Sequence, residues 1–382
     1  MEIFFLTFIV ISSLTLVTNN NKYLLNNIYF DLSAWILLFL FLIFFIGFRY
    51  EVGGDWDSYI ESYIENLKGQ RLTAELLSRE PFFKTLGIIG SNYIGGIYFI
   101  NTISAIIFTI SLIFFCKSLP YPWIGFLTAF PYLVTVVALG YTRQSISIGL
   151  FMITLVFLKK NKFWKYLIIN FLAIGFHFSS FITLPLVMVQ QIKRRKFYFF
   201  VGLSLIVLFF IAMKAELSAM IENYLEIDYA SKGALIRLIM LIIPTLIFFK
   251  FKKNFEYENK IEEFWTYLGY LSILFFILYF VSPSSTAVDR FALFVIPFQM
   301  FVWSHVPNLL SKKNSSVIVF IIFFIFYNFS ILWVWLFHSI HSNEWLPYKN
   351  YIFELWKYDY HFLIPRTCLE FDFTCTEFKI RM

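Results

Sequence analysis

Apolar runs close to twenty residues long repeat along the whole chain, and each ends at a cluster of charge or at Gly and Pro. The runs are apolar all round, which is the pattern of helices that cross a bilayer rather than of surface helices with one apolar stripe. A membrane barrel would show ten-residue strands of alternating polarity, and the runs are continuous instead. The pattern predicts an all-α polytopic membrane protein with twelve spans, at about 3–18, 29–48, 95–116, 122–139, 144–158, 164–176, 179–191, 197–213, 234–250, 264–281, 291–306 and 316–337. Residues 164–191 could form one long helix, but both flanks are strongly cationic and a single crossing would separate them. A hairpin with His177 at its tip keeps both flanks on one side. Arms of about 13 residues reach only about 20 Å, less than the hydrocarbon thickness, so the tip is expected within membrane depth and open to the outer side.

Composition agrees with the pattern. Of 382 residues, 59% are hydrophobic and 14% charged, where a soluble domain is nearer a quarter charged; the mean hydropathy is +0.73. The net charge of +7 would suggest nucleic acid only if its placement were ignored. Lys22, Lys117, Lys159/Lys160/Lys162/Lys165, Lys193/Arg194/Arg195/Lys196, Lys250/Lys252/Lys253/Lys260 and Lys312/Lys313 all fall in links on one face. The positive-inside rule makes that face cytoplasmic. The short links opposite hold only Arg143 and Arg290. Both chain ends, the loop 49–94, the loop 214–233 and the tail 338–382 are then outside, and residues 1–382 form a single integral membrane domain. The apolar N-terminus lacks a cationic n-region and a small-residue cleavage site, so it is expected to remain as the first span.

Charge placement also directs attention to the outer side. After Tyr29–Phe48 the chain turns polar at once, in Arg49-Tyr50-Glu51-Val52-Gly53-Gly54-Asp55-Trp56-Asp57-Ser58-Tyr59. A double glycine beside carboxylates suits a turn where backbone approaches something closely. Residues 57–68 read as a helix with Tyr59, Tyr63 and Leu67 on one stripe, and Pro81 after Glu80 suits a second helix start. Residues 215–228 read as another amphipathic outer segment. Arg49, Arg143, Arg237 and Arg290 all fall at outer ends of spans, against the positive-inside tendency. One Arg there could be an interfacial anchor. Four at one depth suggest an anion-binding cavity, because a guanidinium offers two parallel donors to phosphate oxygens and keeps its charge. Tyr59 and Gln144 are counted with this substrate-binding set, and Asp289 could pair locally with Arg290. A general base must accept a proton within hydrogen-bond reach, which leaves Asp55, Glu80 and His177 as candidates. Asp55, next to the glycine turn, is the first choice, Glu80 the second and His177 the alternative. His305, His338 and His341 read as structural or interfacial. No CxxC and no Cys/His metal spacing occurs, so no metal is expected. No GxxxxGK[ST] or GxGxxG occurs either, and the cytoplasmic links are too short for a nucleotide-binding domain; no cofactor is expected. Cys368 and Cys375, in an outer tail, are expected to form a disulfide, and Cys116 to stay free.

Taken together, Phe48-Arg49-Tyr50, Gly53-Gly54-Asp55-Trp56-x-x-Tyr59, Glu80-Pro81-Phe82-Phe83, Thr142-Arg143-Gln144, Phe176-His177-Phe178-Ser179 and Asp289-Arg290-Phe291 resemble the EpsG-like branch of bacterial polysaccharide polymerases, which includes O-antigen polymerases of the Wzy type. Gly54 stands where that family often has Thr or another small polar residue. The resemblance implies a metal-independent inner-membrane glycosyltransferase of the GT-C-like superfamily with its active site facing the periplasm. It implies a substrate, an undecaprenyl-diphosphate-linked oligosaccharide, and as partners membrane lipids and a chain-length regulator protein; nucleic acid is not among them. Such enzymes pass the growing glycan from its lipid diphosphate to the terminal sugar of an incoming unit. A flippase or transporter for the same lipid-linked oligosaccharide, and an O-antigen ligase, are the alternatives. A transporter would be expected to spread polar residues to both faces and to show paired broken helices, whereas here the ionisable residues cluster outside.

Overall fold

The computed structural model describes residues 1–20, 27–67, 80–92, 95–159, 162–186, 233–255, 262–282, 284–312 and 316–357, with isolated positions at 200, 203–204, 207 and 257. Among these residues there is no strand, only one isolated bridge between Arg49 and Asn350. The helices are α1 (Glu2–Asn20), α2 (Ile28–Leu42), α3 (Trp56–Leu67), α4 (Pro81–Asn92), α5 (Gly96–Lys117), α6 (Pro122–Ala129), α7 (Thr142–Lys159), α8 (Phe163–Phe176), α9 (Ala234–Phe251), α10 (Glu262–Val281), α11 (Ser285–Ala292), α12 (Ile296–Ser311), α13 (Val317–His338) and α14 (Tyr351–Lys357).

Among the described residues, six segments are long and apolar enough to cross a membrane: Ile28–Gly47, Gly96–Lys117, Ala234–Asn254, Glu262–Val281, Ser285–Ser311 and Val317–His338. Four shorter apolar helices, Glu2–Thr18, Pro122–Ala138, Thr142–Leu158 and Phe163–Phe176, stand at four further expected positions. Residues 187–191, most of 197–213, the segment 215–228 and the Cys368–Cys375 pair lie outside the described residues. Local sequence accounts for several helix ends. Asn27 caps α2 by accepting from the Tyr29 and Phe30 N–H groups, and Pro122 opens α6 where no N–H is required. Ser284 caps α11 through the Ala287 N–H, so the helix leading into the eleventh expected span starts earlier than 291. Arg290 therefore lies in the second turn of α11 rather than at its start.

The segment α11–α12 is central: 89% of its most apolar window is buried, against 22% for α13, which leaves Phe323, Phe326 and Trp333 on the outside of the bundle. The ends assigned to one face do meet. Lys117 pairs with Asp31 at 2.8 Å, Lys252 with Glu262 at 3.2 Å, and Lys312 Nζ reaches the Asn254 carbonyl at 3.5 Å.

Two helices widen to π geometry just before the polar outer segments, at Ile43–Gly47 and at Phe130–Ala138. Pro131 has no N–H to give Leu127, and the Thr135 hydroxyl donates to the Phe130 carbonyl at 2.9 Å, which favours the wider register. The chain also reverses at His177, as the cationic flanks require. α8 ends in an extended His177, and a 3-10 turn, Phe178–Thr183, leads back. The Tyr166 hydroxyl donates to the Thr183 carbonyl at 3.1 Å, and Thr183 Oγ1 to Asn170 Oδ1 at 2.8 Å. Were the helix continuous, Tyr166 and Thr183 would stand about 25 Å apart.

Candidate functional site

The site begins at the glycine turn. Gly53 has φ +108, and a Cβ there would collide with the Leu139 carbonyl and the Gly140 Cα. Only glycine fits both the conformation and the contact. The Asp55 N–H donates to the Gly140 carbonyl at 3.1 Å, so the turn is fastened to the break between the π segment of α6 and α7. Residues after α13 cover it from the other side. The Gly53 N–H donates to the Glu344 carbonyl at 2.8 Å, Tyr50 N–H to the Lys349 carbonyl at 3.1 Å, and Lys349 pairs with Glu51 at 2.6 Å. Trp345 is fully buried, and a Cβ on Gly140 would strike its ring. Leu346–Pro347 is a cis peptide within this strap.

Arg49 lies under the turn and is 1% exposed. Its Nε donates to the Val52 carbonyl at 3.2 Å and Nη1 to the Ile46 carbonyl at 2.8 Å. Nη2 donates to Asn101 Oδ1 at 3.0 Å and to Thr142 Oγ1 at 2.6 Å. All its nitrogens are thus occupied by protein acceptors from the ends of three spans, and Arg49 does not join the other arginines. A charged group this deep persists only when fully hydrogen-bonded, and the π turn at Ile43–Gly47 presents the carbonyl that one bond needs.

The outer helices α3 and α4 bring the next residues together. Tyr50, Trp56, Tyr59, Ile60, Ile97 and Ile100 form a small core beneath them, with Ile64 and Phe83 packed on it. The stripe that packs is therefore Trp56, Tyr59/Ile60 and Ile64. Phe82 seats against Gly175, where a Cβ would collide with its ring. That seat carries Glu80 to His177. Glu80 Oε1 lies 2.7 Å from His177 Nδ1 and accepts the Phe178 N–H at 3.2 Å, while Oε2 accepts Arg143 Nη1 at 2.9 Å. Burial alone would raise the Glu80 carboxyl, but the combined pull of His177, Arg143 and the Phe178 N–H holds it at about 2, well below the usual carboxylate range. An ionised carboxylate only accepts, so His177 Nδ1 carries a proton, and in the neutral ring Nε2 is the acceptor. Arg143 is 38% exposed, with its guanidinium 5.6 Å from the Tyr59 ring centre and 5.9 Å from that of Phe83. The Tyr59 hydroxyl donates to Asp55 Oδ2 at 3.0 Å and accepts from the Arg143 N–H at 3.4 Å. Burial, reinforced by Asp55, pushes the Tyr59 phenol above its ordinary value and keeps it a donor.

On the other flank Asp289 gives both oxygens to Arg237, at 2.6 Å each. This bidentate bridge joins α9 to α11, with the Arg237 guanidinium also 5.5 Å from the Tyr132 ring centre. Arg290 is exposed. Its carbonyl accepts Gln144 Nε2 at 2.8 Å, so Gln144 ties α7 to α11. Tyr141 lies between the two flanks, within the electrostatic reach of Asp55, Arg237, Arg290 and Glu344. A continuous chain of contacts therefore runs from His177 through Glu80, Arg143 and Tyr59 to Asp55. His305 is buried in the bundle, with Nδ1 2.7 Å from the Phe301 carbonyl, a structural placement. Cys116 is a buried free cysteine. No group of three His, Cys, Asp or Glu suited to a metal occurs among the described residues.

Sequence reasoning passed over Glu344, Trp345 and Asn101. The turn-forming run Ser342-Asn343-Glu344-Trp345-Leu346-Pro347 was its only signal, and it gives no hint of a partner 298 residues away such as Glu51 is to Lys349.

The family model described as EpsG family matches residues 32–350. That range covers every segment named above, from α2 to the strap. No curated protein and no solved structure matches the chain.

Proposed function

The chain belongs to the EpsG family, and on that premise we propose that it is a polysaccharide polymerase of the bacterial inner membrane, joining undecaprenyl-diphosphate-linked oligosaccharide units on the periplasmic face within a twelve-span, GT-C-like fold. The observation that carries the reading is the Glu80 knot, which fixes a phosphate-binding group, Arg143, and a proton acceptor, His177, on the two arms of one carboxylate. A hydroxyl of the incoming sugar attacks the anomeric carbon of the growing chain. The bond from that carbon to the diphosphate oxygen breaks, and the electron pair leaves with the diphosphate. Arg143, seated over the adjacent Tyr59 and Phe83 rings, and the exposed Arg290 stabilise that charge. Arg237 contributes less, because Asp289 already neutralises it. Arg49 belongs to the fold, since each of its nitrogens is held by a protein acceptor and it is 1% exposed.

His177 takes the hydroxyl proton on Nε2. Glu80 positions it and is itself too acidic and too heavily hydrogen-bonded to serve as the base. Asp55, which accepts from Tyr59 beside the glycine turn, holds the acceptor sugar. A second reading makes Asp55 the base, favoured by its partial exposure next to that turn. The donor is already activated, so the reaction draws on no nucleotide.

The test is reconstitution of the purified protein with its lipid-linked unit. Wild type should build chains longer than one unit. His177→Gln should lose nearly all elongation while still binding the lipid, and Asp55→Asn should lose mainly acceptor affinity. An active His177→Gln, together with an Asp55→Asn that binds acceptor but does not elongate, moves the base to Asp55. Movement of the unit across the bilayer without elongation would make the protein a transporter, and transfer of finished chains to a lipid core a ligase.

A further inference from the structure

Gly54 has no side chain in a place where the surroundings could accept a small one. A Cβ there would lie 2.8 Å from Glu344 Oε2 and 3.4 Å from the rim of the Trp345 ring. The space beside Asp55 is thus filled by a carboxylate from the other end of the chain. Its mounting is rigid, because the Glu344 carbonyl accepts the Gly53 N–H at 2.8 Å and the neighbouring Trp345 is enclosed against Gly140. Its head is open, with the side chain 46% exposed and the carboxylate 3.3 Å from His341 Nδ1. Tyr141 Cε1 lies 3.6 Å from the same Cβ position on Gly54. A solvated rim carboxylate would need neither a buried Trp behind it nor an empty Cβ position before it.

We infer that Glu344 is a second acceptor-binding residue, which together with Asp55 holds hydroxyls of the incoming sugar on either side of Gly54. Sugar hydroxyls are donors, and two carboxylates flanking one glycine select which pair of hydroxyls is engaged and so which one is left facing His177. The identity of the ligand rests on the polymerase reading; the location of the site rests on the strap.

Two variants approach the same pair from opposite sides. Glu344→Gln removes the charge. Gly54→Ala adds a Cβ that displaces only the flexible end of Glu344, so the fold is retained. Each is measured in full-length protein, with acceptor titrated at fixed donor and donor at fixed acceptor, alongside thermal stability. Direct binding of the repeat-unit oligosaccharide freed of its lipid by mild acid is measured in parallel. Both variants should raise the acceptor KM and weaken oligosaccharide binding by about tenfold, the loss of a hydrogen bond to a charged group, with donor KM and melting temperature unchanged. An acceptor KM and oligosaccharide affinity equal to wild type in Glu344→Gln overturns the inference. So does an equal loss for donor and acceptor accompanied by a lower melting temperature, which would make Glu344 part of the strap alone. If wild type fails to elongate but binds the oligosaccharide, weaker binding by both variants supports the Glu344 site while the polymerase reading falls, and unchanged binding overturns the site.

Discussion

At the scale of single residues, Glu80 has the strongest consequences. Its folded-state value of about 2 lies below that of a free carboxyl, near 4.3 in an unfolded chain. A depressed carboxyl contributes stability that is present above the unfolded value and is lost as pH falls through the folded one. The melting temperature of the purified protein should therefore drop between about pH 4 and pH 2. Glu80→Gln should cost on the order of 3 kcal/mol at neutral pH and flatten that acid limb, because His177 and Arg143 lose a shared buried partner. An unchanged acid limb in Glu80→Gln would show that the knot is not formed in the membrane. Arg143 poses a separate question. Its planar group lies over the adjacent Tyr59 and Phe83 rings while Nη1 is spent on Glu80. Lysine lacks both the plane and the fork, so Arg143→Lys should lose elongation almost as fully as Arg143→Ala, by about a hundredfold. Near-normal polymer from Arg143→Lys at matched protein level would leave only a point charge to explain.

At the scale of elements, three backbone segments meet with almost no side chain between them: the glycine turn, the Leu139–Gly140 break and the strap. Gly140 and Trp345 occupy each other's space, since a Cβ on one strikes the ring of the other. Gly140→Ala should destabilise by more than about 2 kcal/mol through overpacking, and Trp345→Ala by about 3–5 kcal/mol through the cavity it leaves. The double variant should be no worse than Trp345→Ala alone, because the smaller residue at 345 removes the clash. Thermal melts of the four proteins test this, and simple additivity would contradict the wedge. The two π segments have a related role. Each runs directly into one of these backbone segments. The wider register at Phe130–Ala138 and Ile43–Gly47 rotates the residues C-terminal to it relative to a regular helix.

At the scale of the whole molecule, the outer ends of spans far apart in sequence converge. Arg49 joins α2 to α5 and α7, Glu80 joins α4 to α7 and α8, Gln144 joins α7 to α11, and Asp289 joins α11 to α9. Among the cationic links, Lys312 reaches the Asn254 carbonyl at 3.5 Å and Lys117 pairs with Asp31 of α2. In a variant with its native cysteines replaced, Cys placed at Lys253 should react with impermeant thiol reagents only from the cytoplasmic side, and Cys placed at Asn343 only from the periplasmic side. Labelling of both from one side would break the two-faced arrangement on which the site depends.

Features that solvent dictates are written in the chain. Twenty apolar residues in a row have no use in water, so the helical class, the six long apolar helices and the reversal at His177 were legible as patterns of hydropathy and charge. Gly53, Glu80, Arg143 and His177 were legible for the same local reason: each breaks the rule of the segment around it. The partners were not legible. Arg49 looked like a fourth phosphate ligand because its charge is visible in sequence, whereas the Asn101 and Thr142 acceptors that enclose it are 52 and 93 residues distant. Asp289 stood next to Arg290 in sequence yet pairs with Arg237, because successive positions of a helix point in different directions while facing helices meet. Glu344 and Trp345 carried no motif, and only the packing of the strap onto a turn about three hundred positions earlier brings a second carboxylate beside Asp55. Which charges are spent inside the protein and which remain for a ligand is a matter of distance in space, and tertiary contact alone decides it.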